Sequence, residues 1–578
     1  MKKEYYCNVL IVGCGAAGLA CAYNLSRLGV KDVTVACENR NYGTSRNTGS
    51  DKQTYYKLSL SGSENDSVYK MANELFSYGG INGDNALCEA ASSAECFFRL
   101  TELGVPFVKN EYGEYAGYKT DFDSCKRGTS AGPLTSKYMT ESLERAVEKT
   151  DTEFISGLFP VKIIKSGNTA RGCVFADGHG FTTVFANYVV FATGGEAAMF
   201  GSSVFPKSQF GAMGVLIDSG CELSNFNYWQ YGLASVDFRW NASGSYQQVI
   251  PRYVSVDKNG REHEFLRDSL SDCEIFEYTF LKGYEWPFDS ERINASSKID
   301  LLVKEQTDKG FDVYLDYTKN PQNFSFDILP EKAGQYLENS SAMQPTPVQR
   351  LLSMNIRAYK NYLAHGIDLK NDYLRIALCS QHQNGGASVD ADYETSVGNL
   401  FAIGEAAGVF GAYRPGGSAL NSTQVSALRC AEKIAKMPQT APPEKTGYSL
   451  PQTTFDDDGM VLKWQKITDR ICLNIRDVTE IKKYVPGLIS DLASCRYYKS
   501  HEVLTATLAF YKSCIFAGEN IGSYGCSVYT ENGAITEKSS NKNKIVVFDG
   551  ECSLREVRPI PKSEQWFEKV YNKRSENI

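Results

Sequence analysis

Val9-Leu10-Ile11-Val12-Gly13-Cys14-Gly15-Ala16-Ala17-Gly18-Leu19 decides how the chain is read. A short apolar run ends in Gly-x-Gly-x-x-Gly. A helical pattern follows from Leu19 to Leu28, and a second apolar run, Val33-Thr34-Val35-Ala36-Cys37, ends at Glu38. The pieces make one βαβ unit with an acidic residue 20 positions after the third glycine. Gly13 permits the tight turn, Gly15 lets backbone N–H groups approach a pyrophosphate, and Gly18 lets the helix pack close on the strand. The phosphates belong at the positive end of the helix, beside Ala16 and Ala17. Glu38 is placed to accept hydrogen bonds from a ribose. This predicts a dinucleotide site and leaves NAD and FAD both open.

Outward from that turn, the bulk numbers set limits. With 578 residues, two or three domains are expected. An apolar content of 42% and a charged content of 22% are ordinary for a soluble globular protein. The net charge is −7 with no basic block, so nucleic acid is not expected as a partner. No apolar run reaches the length of a membrane span, so an integral membrane protein is not expected. The first strand begins by about Val9, which leaves no room for a signal peptide. The 17 cysteines contain no Cys-x-x-Cys, which reads as reduced thiols in a cytoplasmic protein. Cys7, Cys14 and Cys21 are evenly spaced but straddle the glycine turn. They read as small packing residues, and no metal is expected.

Asn41 to Gln53 is polar and aperiodic, a loop close enough to the pyrophosphate turn to lie along the cofactor through Asn47, Thr48 and Gly49, or else a surface connection. Gly117 to Thr135 is a second polar loop, holding Tyr118, Lys119, Asp121, Asp123, Arg127 and Ser130. Phe154 to Val190 alternates as β-structure and runs on through Phe191 into the turn Ala192-Thr193-Gly194-Gly195. In flavoproteins built on two dinucleotide folds, such a strand returns to the first sheet and its turn lies under the cofactor. No second Gly-x-Gly-x-x-Gly follows a strand, so a separate NAD(P)H domain is not expected. Residues 214–374 differ in texture, being rich in Tyr, Asn, Ser and Phe. They read as an inserted domain whose clearest helix is Glu291 to Gly310. Leu400 to Gly408 is a strand ending in Gly404-Glu405, and Thr423 to Lys436 is a helix. Pro438 to Thr454 reads as a linker, Met460 to Phe516 as helical, and Lys544 to Phe548 as a short strand.

The glycine turn, Ala192-Thr193-Gly194-Gly195, Gly385-Gly386, Gly404-Glu405-Ala406-Ala407-Gly408 and Arg414-Pro415-Gly416-Gly417-Ser418-Ala419-Leu420 together resemble the fumarate reductase/succinate dehydrogenase flavoprotein family, which includes L-aspartate oxidase. Order and spacing match over about residues 5 to 436. The resemblance implies FAD and an α/β fold: a Rossmann-like FAD-binding domain (1–213 and 375–437), an inserted α+β capping domain (214–374) and a mainly helical C-terminal region (438–578). It implies that Gly404 and Glu405 hold ribityl or ribose hydroxyls and that Ser418, Ala419 and Leu420 lie at the flavin pyrimidine. A helix starting near Asn421 would point its amides at the same ring and stabilise the reduced, anionic form. Arg292 falls where the family's proton-donating arginine falls, with a solvated helix-face arginine as the alternative. Arg414 matches the arginine that grips a substrate carboxylate, a task suited to the guanidinium fork.

Two departures set this chain apart. The family's Gln-Phe-His-Pro-Thr aligns with Gln230-Tyr231-Gly232-Leu233-Ala234, so its histidine is gone. Its later His-Tyr-x-Met-Gly-Gly aligns with Gln381-His382-Gln383-Asn384-Gly385-Gly386, where the histidine is displaced to His382 or replaced by Gln381. Gly232 and the cluster Tyr228, Trp229, Tyr231 suggest a larger and less charged substrate than fumarate. The histidine that carries covalent FAD in some members is missing from Ser45 to Gly49, so non-covalent FAD is expected. The expected activity interconverts CH–CH and C=C beside a carbonyl or carboxyl group, with reduction favoured. In it Arg292 donates the proton, Tyr231 and His382 orient the substrate and Arg414 binds its anionic or carbonyl end. Electrons would come from an external redox protein, quinone or nicotinamide. An amine or alcohol oxidase and a non-catalytic electron-relay subunit remain the alternatives.

Overall fold

The computed structural model describes residues 3–440, 445, 447–536 and 542–575. The opening strand, Lys3–Val12, lies inside a seven-stranded sheet. It pairs in parallel with Val33–Cys37 on one side and with the returning strand Phe181–Phe191 on the other. Glu153–Ser156 extends the first edge, and Leu400–Ala402 runs parallel to the returning strand. Thr169–Ala176 and Phe159–Ser166 complete the sheet in antiparallel fashion. Val9, Leu10, Ile11, Val35, Val189 and Val190 are fully buried, as expected of parallel strands covered on both faces. Helix Ala16–Arg27 packs on helix Ser418–Lys436, which comes from the second part of the same domain.

The inserted region carries its own antiparallel sheet. In order across it lie Trp240–Asn241, Trp229–Ser235, Leu374–Gln383, Asp312–Asp316, Arg252–Val256 and Glu262–His263. This sheet has a separate hydrophobic core, in which Phe276, Ile299, Leu315 and Tyr362 are fully buried. Leu374–Gln383 joins the two cores. Leu374 and Ile376 lie in the second core, whereas Leu378 and Cys379 lie in the first. Its far end therefore delivers Gln381 and His382 to the boundary between the domains. All 17 cysteines are free. Among the described residues, no His, Cys, Asp and Glu cluster could hold a metal ion and no helix is long and apolar enough to cross a membrane.

Several boundaries differ from the sequence reading. The helix expected from Thr423 begins at Ser418, because Gly417 takes the left-handed conformation, φ +90°, that caps it. The helix expected from Glu291 begins at Ser297, and Ser290–Arg292 is a single 3-10 turn. The Asp289 carboxylate accepts the Glu291 N–H at 2.9 Å and Ser297 Oγ accepts the Asp289 N–H at 2.9 Å, which ties off the turn. The C-terminal region has three long helices, Met460–Ile471, Val478–Ser494 and Tyr498–Asn520, but also strands. One of them, Lys544–Phe548, pairs with Leu223–Ser224. The expected linker 438–454 lies partly outside the described residues.

The loop 117–127 is pinned by Arg127, whose guanidinium is fully buried. It contacts Asp66 at 2.7 Å, Asp123 at 3.0 Å and Glu74, and it donates to the Tyr56 hydroxyl at 3.0 Å. Removing one partner of a buried ion cluster leaves uncompensated charge. Arg127→Ala is therefore expected to cost about 3–5 kcal/mol of unfolding free energy in urea denaturation, and a loss under about 1 kcal/mol would show that the cluster does not organise this loop.

Candidate functional site

Two cavities meet at Thr44, Ser45, Glu405 and Thr423. The smaller, about 140 Å³, is lined by Gly13, Gly15, Ala16, Ala17, Glu38, Ala192, Thr193 and Gly194. The three glycines of the opening turn differ in what surrounds them. A Cβ on Gly13 would lie 2.4 Å from the Ala192 carbonyl oxygen, and one on Gly18 would lie 2.0 Å from the Gly13 oxygen. A Cβ on Gly15 would meet nothing closer than Ser45 Oγ at 3.4 Å. Gly13 and Gly18 are thus demanded by the protein's own packing, whereas Gly15 keeps the cavity open. Gly15 caps helix Ala16–Arg27 with no side chain of its own; the Ala16 N–H donates to Ser45 Oγ at 3.2 Å, and the next amides of the first turn suit a phosphate. Glu38 is held by Lys499 at 2.6 Å, a contact from the C-terminal region that the local sequence pattern did not reveal.

The larger cavity, about 560 Å³, is walled by both domains. Thr48, Gly49, Ala419 and Leu420 line it from the side of the seven-stranded sheet, and Tyr284, Trp286 and Tyr336 from the side of the six-stranded sheet. Glu405, at the junction, accepts the Gln383 N–H at 2.8 Å, and burial pushes its carboxyl up to about 7. One cavity at a phosphate-type glycine turn opening into a wider one fits an elongated dinucleotide with a ring system at its far end. Two expected contacts fall elsewhere. Asn47 is exposed and lines neither cavity, because its amide donates to the Asn41 and Gly43 carbonyls, both at 2.9 Å. Ser418 donates to the Pro415 carbonyl at 3.0 Å and faces a small third cavity.

Arg414 is buried on the wall of the larger cavity. Three of its five N–H bonds are spent: Nε at 3.0 Å and Nη2 at 2.6 Å on Gln230 Oε1, and Nη1 at 3.3 Å on the Pro415 carbonyl. Two are unused among the described residues. Burial lowers the guanidinium to about 10, which still leaves it charged at neutral pH. His382 lies beside it. Its Nδ1 bonds Asn384 Oδ1 at 2.9 Å, and Asn384 Nδ2 donates to the Gly411 carbonyl at 3.0 Å. That orientation makes Nδ1 the protonated nitrogen and leaves Nε2 as an acceptor, 3.8 Å from Glu405 Oε1. Burial first, and then the Arg414 charge, hold His382 well below the usual imidazole range, so the ring is neutral.

Asp121 also lines this cavity, and its carboxyl makes no hydrogen bond or ion pair among the described residues. Burial pushes it up to about 7, against the opposing pull of Arg292, Lys282 and Arg414. Nothing in the local sequence marked it, since it stands among several polar residues of an aperiodic loop. Two expected catalytic residues are not on the cavity wall. Tyr231 is fully buried and its hydroxyl accepts from Arg476 Nη2 at 2.7 Å, because strand alternation sends Gln230 to Arg414 and Tyr231 to the other face. Arg292 sits on the 3-10 turn with its side chain 30% exposed, 3.5 Å from Asp289, 3.8 Å from Glu285 and 5.4 Å from the centre of the Phe122 ring. Gly232 does not enlarge the site, since a Cβ there would lie 3.2 Å from Trp286 Nε1 and the indole fills the space. Tyr228 and Trp229 are buried and line none of this cavity. Its aromatic wall comes from Tyr118, Phe205, Tyr284, Trp286 and Tyr336 instead.

Comparison with known proteins agrees with this geometry. The family model described as "FAD binding domain" matches residues 8–420. The L-aspartate oxidase of Vibrio cholerae is 24% identical over 492 residues, which span 80% of this chain and 82% of that protein. A mutant of Escherichia coli quinol fumarate reductase FrdA superposes with a TM-score of 0.67 at 16% identity, covering 97% of this chain and 98% of that one. A quinol–fumarate reductase with menaquinol molecules gives a TM-score of 0.69 at 17% identity, over 98% and 99% of the two chains.

The contrast among the glycines is testable. Gly15→Ala is expected to leave urea stability within about 1 kcal/mol of wild type and to weaken FAD, followed by fluorescence titration, at least tenfold, or about 1.4 kcal/mol. Unchanged affinity would remove Gly15 from the cofactor site.

Proposed function

The chain belongs to the FAD binding domain family, with the fumarate reductase/succinate dehydrogenase flavoproteins, and from that premise we propose that it reduces the C=C bond of an unsaturated organic acid or enone other than fumarate. That it is an FAD-dependent oxidoreductase follows from the family. The single observation that carries the finer reading is Arg414, a buried cation on the wall of the cavity that also bears the first turn of helix Ser418–Lys436, with two N–H bonds unused among the described residues.

Bound FAD supplies a two-electron donor able to pass a hydride to carbon. Gly13, Gly15, Ala16, Ala17, Glu38 and the Ala192-Thr193-Gly194 turn would hold its nucleotide half. Glu405, Thr48, Gly49, Ala419 and Leu420 would hold the other half, without a covalent link. Arg414 takes the carboxylate or carbonyl oxygen of the substrate and withdraws charge from the conjugated double bond. Neutral His382 adds no second positive charge beside Arg414, and its Nε2 lone pair takes a hydrogen bond only from a substrate that carries a donor. At the position of the family's other substrate histidine stand Gly232 and the Trp286 indole, which offer a second carboxylate no charge. This is why fumarate is not the substrate assigned. Electrons come from outside the chain, from a redox protein, quinone or nicotinamide.

A second reading is favoured by one specific finding, the similarity to L-aspartate oxidase over 80% of the chain. In it an amino acid is oxidised, with its carboxylate on Arg414 and its ammonium on Asp121. The readings separate cleanly. FAD-loaded protein, reduced without oxygen and mixed with crotonate or cinnamate, is expected to regain its yellow colour with one equivalent of saturated acid formed. If neither acid reoxidises it while amino acids bleach the oxidised protein and oxygen restores it with peroxide release, amine oxidation is the correct assignment.

A further inference from the structure

We infer that Asp121, and not Arg292, is the group that delivers the proton to substrate carbon, with Arg292 serving as a positioning residue for it; this rests on the enoate reading above. The case begins with access. Asp121 is on the wall of the larger cavity, whereas Arg292 is not. Arg292 is engaged with Asp289 and Glu285 and lies over the Phe122 ring, next along the chain from Asp121. The second argument is partnership. Asp121 is half-buried on the cavity wall and its carboxyl has no hydrogen-bond donor among the described residues, so its oxygens are open to a ligand in the cavity.

The third argument is the charge around it. Arg292, Lys282 and Arg414 all act on Asp121, and Glu285 opposes them. Burial keeps the acid protonated to about 7, so it still holds its proton near neutral pH, where a general acid is most useful. Once the proton has left, the same three cations stabilise the carboxylate. An arginine at this place would start from a far weaker acid.

The step balances as follows. The carbon next to the substrate carboxylate gains a proton from the Asp121 carboxyl. The neighbouring carbon gains a hydride, two electrons and one hydrogen, from the reduced cofactor. The C=C π bond is lost and two C–H bonds form. Asp121 is left as a carboxylate and recovers its proton from solvent before the next turnover.

The test uses the full-length, FAD-loaded protein with reduced methyl viologen as electron donor, without oxygen, and crotonate or cinnamate as substrate. Wild-type kcat/KM is expected to be level below pH about 7 and to fall above it, as Asp121 loses its proton. Asp121→Asn should lower kcat by about 10²–10⁴-fold, with KM and FAD content little changed, and Asp121→Glu should restore part of the rate with a displaced pH limb. A readout independent of turnover is the infrared difference between substrate-free wild type and Asp121→Asn, in which the carbonyl band of one protonated carboxyl, over those such as Glu405 that both proteins keep, should be present and titrate near pH 7. Full kcat in Asp121→Asn, or a change confined to KM, would overturn the proton-donor role while leaving the enoate reading in place. A wild-type protein that reduces no enoate would overturn both.

Discussion

A buried guanidinium must be hydrogen-bonded, and Arg414 is bonded by less than it can use. Gln230 and the Pro415 carbonyl satisfy three N–H bonds and neither brings a negative charge. Had residue 230 been a glutamate, the positive charge would have been neutralised within the protein. The glutamine holds the fork in place and leaves its charge for a ligand. Gln230 belongs to the sheet of the insert and Arg414 to the run that leads into helix Ser418–Lys436. The bond that orients the cation therefore also joins the two domains across the cavity.

The rest of the architecture can be understood as bringing other groups to that point. The strand Leu374–Gln383 starts in one core and ends in the other, so His382 and Gln381 sit at the seam without a loop of their own. Glu405 follows the strand Leu400–Ala402, which pairs with the returning strand of the first sheet, and so stands where the narrow and wide cavities meet. The loop 117–127, clamped by Arg127, closes the wall with Tyr118 and Asp121. The Tyr118 hydroxyl is itself shared with Thr54 Oγ1 at 2.7 Å. Groups from four separate stretches of chain thus share one cavity, and burial shifts each of the ionisable ones among Glu405, His382, Asp121 and Arg414 toward its neutral form.

Legibility in the sequence followed the range of the physics involved. The opening turn was readable because the needs of Gly13 and Gly18 are set by atoms of the same βαβ unit and the strand beside it. Arg414 and Glu405 stand in motifs with fixed neighbours, and the fold puts both on the cavity wall. Tyr231 was assigned to the wrong face because a strand alternates every residue, and a motif names the strand without settling which of two adjacent side chains faces the ligand. Gly232 suggested open space, but Trp286, 54 positions along the chain, occupies it. Asp121 could not be singled out, since its character depends on Arg292, Lys282 and Arg414, which only the folded chain brings near. The helix start was misplaced because several glycines precede it, and although Gly411 and Gly417 both take the left-handed region, only Gly417 stands directly before the helix.

The claim on which the account turns is that Arg414 holds its two free N–H bonds for a substrate carboxylate. The direct measurement is equilibrium binding of a saturated acid, 3-phenylpropionate, to the oxidised FAD-loaded protein, read from the change in flavin absorption, in wild type and in Arg414→Met. Hydrogen bonds to a charged group are worth about 1.5–3 kcal/mol, so the substitution is expected to weaken binding by about 10–150-fold while FAD remains bound. Equal affinity in the two proteins would contradict the assignment of Arg414 and, with it, the placement of the substrate.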